Sequence, residues 1–235
     1  MAAFVTGDTH GSTDIHKLSA RSFPEGASLT KDDYLIIAGD FGLVWDFTPD
    51  ELYWRDWLER RPWTTLFVDG NHENHEALAE LPEERWHGGR VHRLSPSVLH
   101  LMRGQIFDID GSTVFTMGGA TSVDRAWRTN GQSWWPTELP DADEFAEARS
   151  TLDAHDWEVD YVVTHCCATS VIGDVYGDDP VWQGPDALTD WFDVVEHGLQ
   201  YRMWYFGHHH IDRTIPPDHR ALYQDIVPLG GTEAL

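Results

Sequence analysis

Five short apolar runs punctuate the chain: Ala3 to Thr6, Tyr34 to Ala38, Thr65 to Val68, Tyr161 to Thr164 and Met203 to Phe206. They are rich in β-branched and aromatic residues, and each runs straight into a polar segment. Each therefore predicts a buried strand that delivers a polar loop at its carboxyl end. Between them the pattern predicts helices at about Ser12 to Ala20, Pro49 to Arg60, Asp141 to His155 and Pro185 to His197, several opening on a Thr, Asp or Pro start signal. This alternation predicts an α/β domain with parallel strands covered by helices, and in such folds functional residues collect at the strand carboxyl ends. The stretch Val98 to Met117 differs, because it reads as short strands joined by Asp110-Gly111, a hairpin signal, so an antiparallel part of the sheet is expected there. No repeat, low-complexity segment or linker divides the chain, so residues 1–235 are expected to form a single domain.

Composition narrows the class. The 235 residues are 41% hydrophobic and 24% charged, as in soluble globular proteins, and suffice for a core without disulfides. No run approaches the roughly 20 apolar residues of a spanning helix, and the polar GDTHG arrives too early for a signal peptide. A cytoplasmic protein without membrane contact is expected. The only cysteines, Cys166 and Cys167, are adjacent, a geometry that strains a disulfide, which fits a reducing compartment. They follow His165 directly, yet small buried hydrophobes is the simpler reading than metal ligands. Forty acidic against 16 basic residues give a formal charge of -24, which repels polyanions. Lys17 and Lys31 are the only lysines and the arginines form no stripe, so bulk nucleic-acid binding is not expected.

The strand ends carry the chemistry. Asp8 and His10, two residues apart in extended backbone, project to one side and could share an ion, although a DxH pair alone is as readily a helix cap beside a surface histidine. Gly39-Asp40-Phe41-Gly42 presents a carboxylate at a sharp turn, and Asp40 could bridge two ions. Gly70-Asn71-His72-Glu73 offers an amide oxygen and an imidazole. His165, after the fourth run, would by itself read as a core histidine. Gly207-His208-His209-His210 decides the matter, since it sets two imidazoles at a spacing of two with His209 turned away between them.

GDTHG, GDFG, GNHE, TH and GHHH, in this order from Gly7 to His210, resemble the signature motifs of the calcineurin-like metallophosphoesterases, in particular stand-alone bacterial and phage members. The resemblance implies a double β-sheet sandwich flanked by helices. It implies a first metal held by Asp8, His10, Asp40 and His210 and a second held by Asp40, Asn71, His165 and His208, with Asp40 shared. His72 matches the family histidine that faces the substrate and assists the leaving group as the catalytic residue. Mixed carboxylate and imidazole donors suit two divalent transition metals, Mn or Fe first and Zn next. Two such ions neutralise phosphate charge and lower the pKa of a bridging water, so that hydroxide can attack phosphorus in line near neutral pH. The expected activity is hydrolysis of small phosphate mono- or diesters. A nuclease and a non-catalytic binding module on the same scaffold are the alternatives; charge opposes the first, and the filled ligand positions oppose the second.

Two departures from the family pattern are visible. Many members carry a second Asp three residues after the Asp40 position, which orients the catalytic histidine, but this chain has Leu43. Asp46, or Asp69 next, is expected to serve instead. The arginine of the phosphoprotein phosphatases is also missing after Leu43, which disfavours that activity. The segment from Gly118 to Pro136 sets Arg125 and Arg128 beside Trp127, Trp134 and Trp135. It reads either as a substrate loop, with guanidinium groups gripping phosphate and indoles stacking on a nucleotide-like ligand, or as a tryptophan clamp that packs the loop on the core.

Overall fold

The computed structural model describes residues 1–179 and 184–235. Its strands build two sheets. The first contains β1 (Ala3–Thr6), β2 (Tyr34–Ile37), β3 (Thr64–Phe67), β4 (Glu83–Trp86), β5 (Gly89–Ser95), β6 (Val98–Leu101) and β13 (Ile226–Pro228), in the order β13-β1-β2-β3-β6-β5-β4. The second contains β7 (Gln105–Ile109), β8 (Ser112–Met117), β9 (Tyr161–Thr164), β10 (Met203–Phe206), β11 (Arg213–Ile215) and β12 (His219–Ala221), in the order β11-β12-β10-β9-β8-β7. In each sheet a parallel centre is flanked by antiparallel edges. The register Phe4 to Leu35, Leu35 to Thr65 and Thr65 to Val98 runs parallel through β1, β2, β3 and β6. Likewise β8, β9, β10 and β12 run parallel.

The five apolar runs are continuous rather than alternating because both faces of each strand are buried. Val5, Ile36, Ala38 and Leu66 face the other sheet, where Val114, Val163 and Tyr205 meet them. One residue along, Leu35, Ile37 and Phe67 face outward onto Leu58 of helix α1 (Pro49–Glu59). On the far side Val162, Trp204 and Phe206 pack with residues of α3 (Ala142–Ala154), α4 (Thr169–Tyr176) and α5 (Ala187–Gly198). A short α2 (His75–Ala79) follows the third strand. This is the predicted double sheet flanked by helices, and among the described residues no helix is long and apolar enough to cross a membrane.

Local signals placed most ends well. Thr48 accepts from the Glu51 backbone at the start of α1, and Asp141 and Asp186 form capping boxes at α3 and α5. Asp110 and Gly111, with φ of 54° and 76°, form the tight turn between β7 and β8. Two expectations need correction. Val98 to Leu101 is no part of that hairpin: it lies parallel to β3 in the first sheet, and the chain crosses between sheets after it. Ser12 to Ala20 forms no α-helix but only a 3-10 turn at Ile15–Leu18. The two apolar residues there, Ile15 and Leu18, are three apart and both buried, which is the 3-10 repeat rather than a helical stripe.

Candidate metal centre

The carboxyl ends of β1, β2 and β3 in one sheet and of β9 and β10 in the other open toward one spot. The chain turns sharply as it leaves them. His10, Asp40, His208 and His210 all adopt left-handed φ, at 42°, 44°, 66° and 53°. Non-glycine residues held there cost about 1 kcal/mol or more each, and such strain gathers where geometry serves function. Two glycines allow the close approach. A Cβ at Gly70 would stand 2.1 Å from Asp40 Oδ1, and one at Gly207 would stand 2.2 Å from Asp8 Oδ1.

The side chains of the predicted donors meet. Asp40, buried, places Oδ2 3.3 Å from His10 Nε2 and Oδ1 3.2 Å from His165 Nε2. Its two oxygens thus face two different imidazoles. Asn71 Oδ1 lies 3.3 Å from the same His165 nitrogen. Asp8 accepts from the His208 backbone N–H at 3.0 Å, and its Oδ2 is 3.3 Å from His210 Nε2. Donor atoms of Asp8, His10, Asp40 and His210 all lie within 4.8 Å of one another. The His165 and His208 rings stand 4.9 Å apart.

This set fits a divalent cation on three counts. Donors sharing one ion at about 2.0–2.2 Å lie about 3.0–3.4 Å apart, and the separations of 3.2 and 3.3 Å already match. The imidazoles are also oriented from behind. His10 Nδ1 is 2.8 Å from Asp14 Oδ2, and His165 Nδ1 is 2.8 Å from the Ala38 carbonyl. Each ring therefore donates its Nδ1–H outward and presents the Nε2 lone pair to the centre, the arrangement of metal-ligating histidines. Charge points the same way. Burial opposes a proton on His10 and on His165, yet Asp40, helped by Asp8, pushes both up to about 9. Burial likewise opposes the Asp40 carboxylate, yet His165, His72 and His10 hold it well below the usual range. The buried carboxylates demand positive charge.

The sequence model of the calcineurin-like phosphoesterase family matches residues 1–212. The chain belongs to this family. As a member it is a metal-dependent phosphoesterase. No curated relative matches. Among solved structures, the phosphopantetheinyl hydrolase PptH of Mycobacterium tuberculosis is similar, at 19% identity and a TM-score of 0.48, over 94% of this chain and 88% of that one.

In this calcineurin-like phosphoesterase the rim differs from what the departures in sequence suggested. His72 sits half-exposed at the edge, with its backbone N–H donating to Asp40 Oδ1 at 2.7 Å and its Nε2 4.0 Å from Asp40 Oδ2. Neither expected aspartate orients it. Asp46 accepts instead from the Thr48 backbone, and Asp69 is tied to Arg103 and His100 in the interior. The partner is Arg128, whose Nη2 donates to His72 Nε2 at 2.8 Å while Nε pairs with Asp124 at 2.7 Å. A guanidinium accepts nothing, so His72 takes this bond with a lone pair and is neutral here; burial, with Arg128 adding to it, lowers its pKa. Arg125 lies away from this contact, 5.2 Å over the Trp134 ring. Leu43, in the slot of the orienting carboxylate, is buried among Ile15, Phe41 and Val44.

Several participants had escaped the sequence reading. Glu73, fully buried, accepts from the backbone N–H of Phe41 and Gly42 and so ties the Asp40 loop to the His72 loop. Lys17 donates to the carbonyls of Gly7, Asp8 and Tyr223 beneath Asp8. Tyr223 stacks on His210 with centroids 4.7 Å apart. The only signal for Asp14 was its spacing of four from His10. His209 turns away to Tyr176 and Cys167, and both cysteines are buried, with burial pushing their thiols up. Replacing Asp14 with Ala is expected to weaken Mn binding about ten- to a hundredfold by freeing the His10 ring. Calorimetric Mn titration checks this, and unchanged affinity would count against the role of Asp14.

Proposed function

We propose that this phosphoesterase hydrolyses small phosphate esters, nucleotide-like ones in particular, at a dinuclear centre. The observation that carries the reading is Asp40, whose two oxygens face His10 on one side and His165 with Asn71 on the other. Asp8, His10, Asp40 and His210 would hold one divalent ion and Asp40, Asn71, His165 and His208 the other, Mn or Fe first and Zn next. Two such ions supply Lewis-acid neutralisation of the phosphate and activation of water near neutral pH.

The chain's own groups do the rest. Asp14 and the Ala38 carbonyl keep the imidazoles aimed inward. Arg128, already poised at the rim, moves its guanidinium from His72 Nε2 to the phosphate, two oxygens of which can accept in the plane of its fork. His72 Nε2, released from the guanidinium that opposed its protonation, then takes a proton from water and passes it to the leaving oxygen. A hollow of about 510 Å³ opens beside His10, His72 and His210, with Trp45 and Tyr223 among its walls. Aromatic walls suit a flat organic group, and among the described residues no lysine or arginine lines it to hold further phosphates. A second hollow, of about 190 Å³, lies beside Arg128, Asp40 and His72. A nuclease is disfavoured by the formal charge of -24.

The test is a panel of nucleotides, cyclic nucleotides, dinucleotides and phosphoproteins offered to Mn-loaded protein. Turnover of the small nucleotides supports the reading; silence across the panel would favour a binding module. Arg128→Ala is expected to raise KM about tenfold with kcat little changed, since it removes binding common to ground and transition states. A packing role for Arg128 instead predicts a lower melting temperature with KM unaltered.

A further inference from the structure

Both ends of the loop from Gly118 to Pro136 converge on one buried ion pair. Arg103 stands in the crossing between β6 and β7, where the chain passes from the first sheet to the second, and is 8% exposed. Its guanidinium is engaged at all three nitrogens. Nε and Nη2 donate to Asp69 Oδ2 at 2.9 and 2.6 Å, Nη1 donates to Glu144 at 3.0 Å, and Nη2 also reaches the carbonyls of Thr137 at 2.9 Å and Glu138 at 3.2 Å. Those two carbonyls lie just past the end of the loop. At its start, Gly119 donates to the Asp69 carbonyl at 2.8 Å, and a Cβ on Gly118 would lie 2.0 Å from Asp69 Oδ1. Buried Glu138 then closes the base, accepting from Ser122 N at 3.0 Å and Ser122 Oγ at 2.6 Å.

Asp69 is also where the Gly70-Asn71-His72 loop begins. The Arg128 loop and the His72 loop are therefore mounted on the same ion pair, from opposite sides. We propose that Arg103 is a positioning residue for substrate binding: bridging Asp69 to the Thr137 and Glu138 carbonyls, it fixes where Arg128 stands relative to His72. The inference rests on the reading above that Arg128 receives the substrate phosphate. A buried ion pair contributes little net stability for the desolvation it requires, and what the contacts of this one do is hold two loops together. Lysine could not replace it, since a single ammonium with three donors cannot span the carboxylates and both carbonyls in one plane.

The experiment is a kinetic double-mutant cycle on the Mn-loaded full chain, with bis(p-nitrophenyl) phosphate as probe. Arg103→Lys is expected to raise KM about tenfold, hold kcat within about twofold and leave bound Mn unchanged, while Arg128→Ala added to it changes KM by less than about twofold. Should Arg103→Lys fail to fold, Ser122→Ala, which removes one contact on Glu138, enters the same cycle with an expected KM increase of about threefold that Arg128→Ala likewise absorbs. A full additional Arg128→Ala effect on either background overturns the coupling while leaving Arg128 as a phosphate ligand. An unaltered KM in Arg128→Ala alone overturns both, since Arg103 would then position nothing.

Discussion

Replacing Asp40 with Asn is expected to lower kcat/KM on the order of 10³-fold or more, because the shared carboxylate supplies charge to both ions and two-ion neutralisation contributes several kcal/mol to the barrier. The substitution keeps the shape and removes half of the local argument for a cation. The carboxylates at Asp8 and Asp40 push His10 and His165 up to about 9 against burial, and an amide at position 40 exerts no such pull. Bound Mn, measured by elemental analysis after gel filtration, should fall below two ions per chain. The rise in melting temperature that Mn gives the wild-type protein should shrink with it, since an ion stabilises only the state that binds it. Two tightly held ions and wild-type turnover in Asp40→Asn would remove the basis for a shared ligand.

Changing His72 to Gln should lower kcat by about 10²- to 10⁴-fold for esters with poor leaving groups, the span of general acid catalysis by a positioned imidazole. The loss should be far smaller for nitrophenyl esters, whose leaving oxygen needs little protonation, and bound Mn should not change. This dependence on the leaving group separates a proton donor from a group that merely lines the site. An equal loss for both classes of ester would point to a binding role. Because Arg128 donates to His72 at 2.8 Å, the same variant is also expected to loosen Arg128, so a modest KM increase accompanies the change.

The fold was readable where its signals are local. Ala3–Thr6, Tyr161–Thr164 and Met203–Phe206 begin and end where the apolar runs do, because a strand buried on both faces must stop where polar side chains would enter the core. The start signals at Thr48 and Asp141 were equally plain, since each satisfies backbone groups only a few residues away, whereas the Asp186 cap lay inside the helix expected from Pro185. The edge strands β4, β11 and β13, and β12 next to β11, left no comparable trace. Short and partly polar, they owe their form to the neighbours they pair with.

The candidate donors were legible in the sequence only as an ordered set: each motif alone is ambiguous, His165 reading as a core histidine, and it is the succession GDTHG, GDFG, GNHE, TH and GHHH, resembling the family signature, that implied them. Tertiary structure decided how they are used. That Asp14 backs His10, that Glu73 joins two loops, and that Arg128 rather than Asp46 or Asp69 meets His72 are contacts between segments that local pattern does not relate. Val98 to Leu101 shows the reason most simply. Its apolar run suits either sheet, and only its pairing with β3 on one side and β5 on the other, made in the folded chain, decides which one it joins.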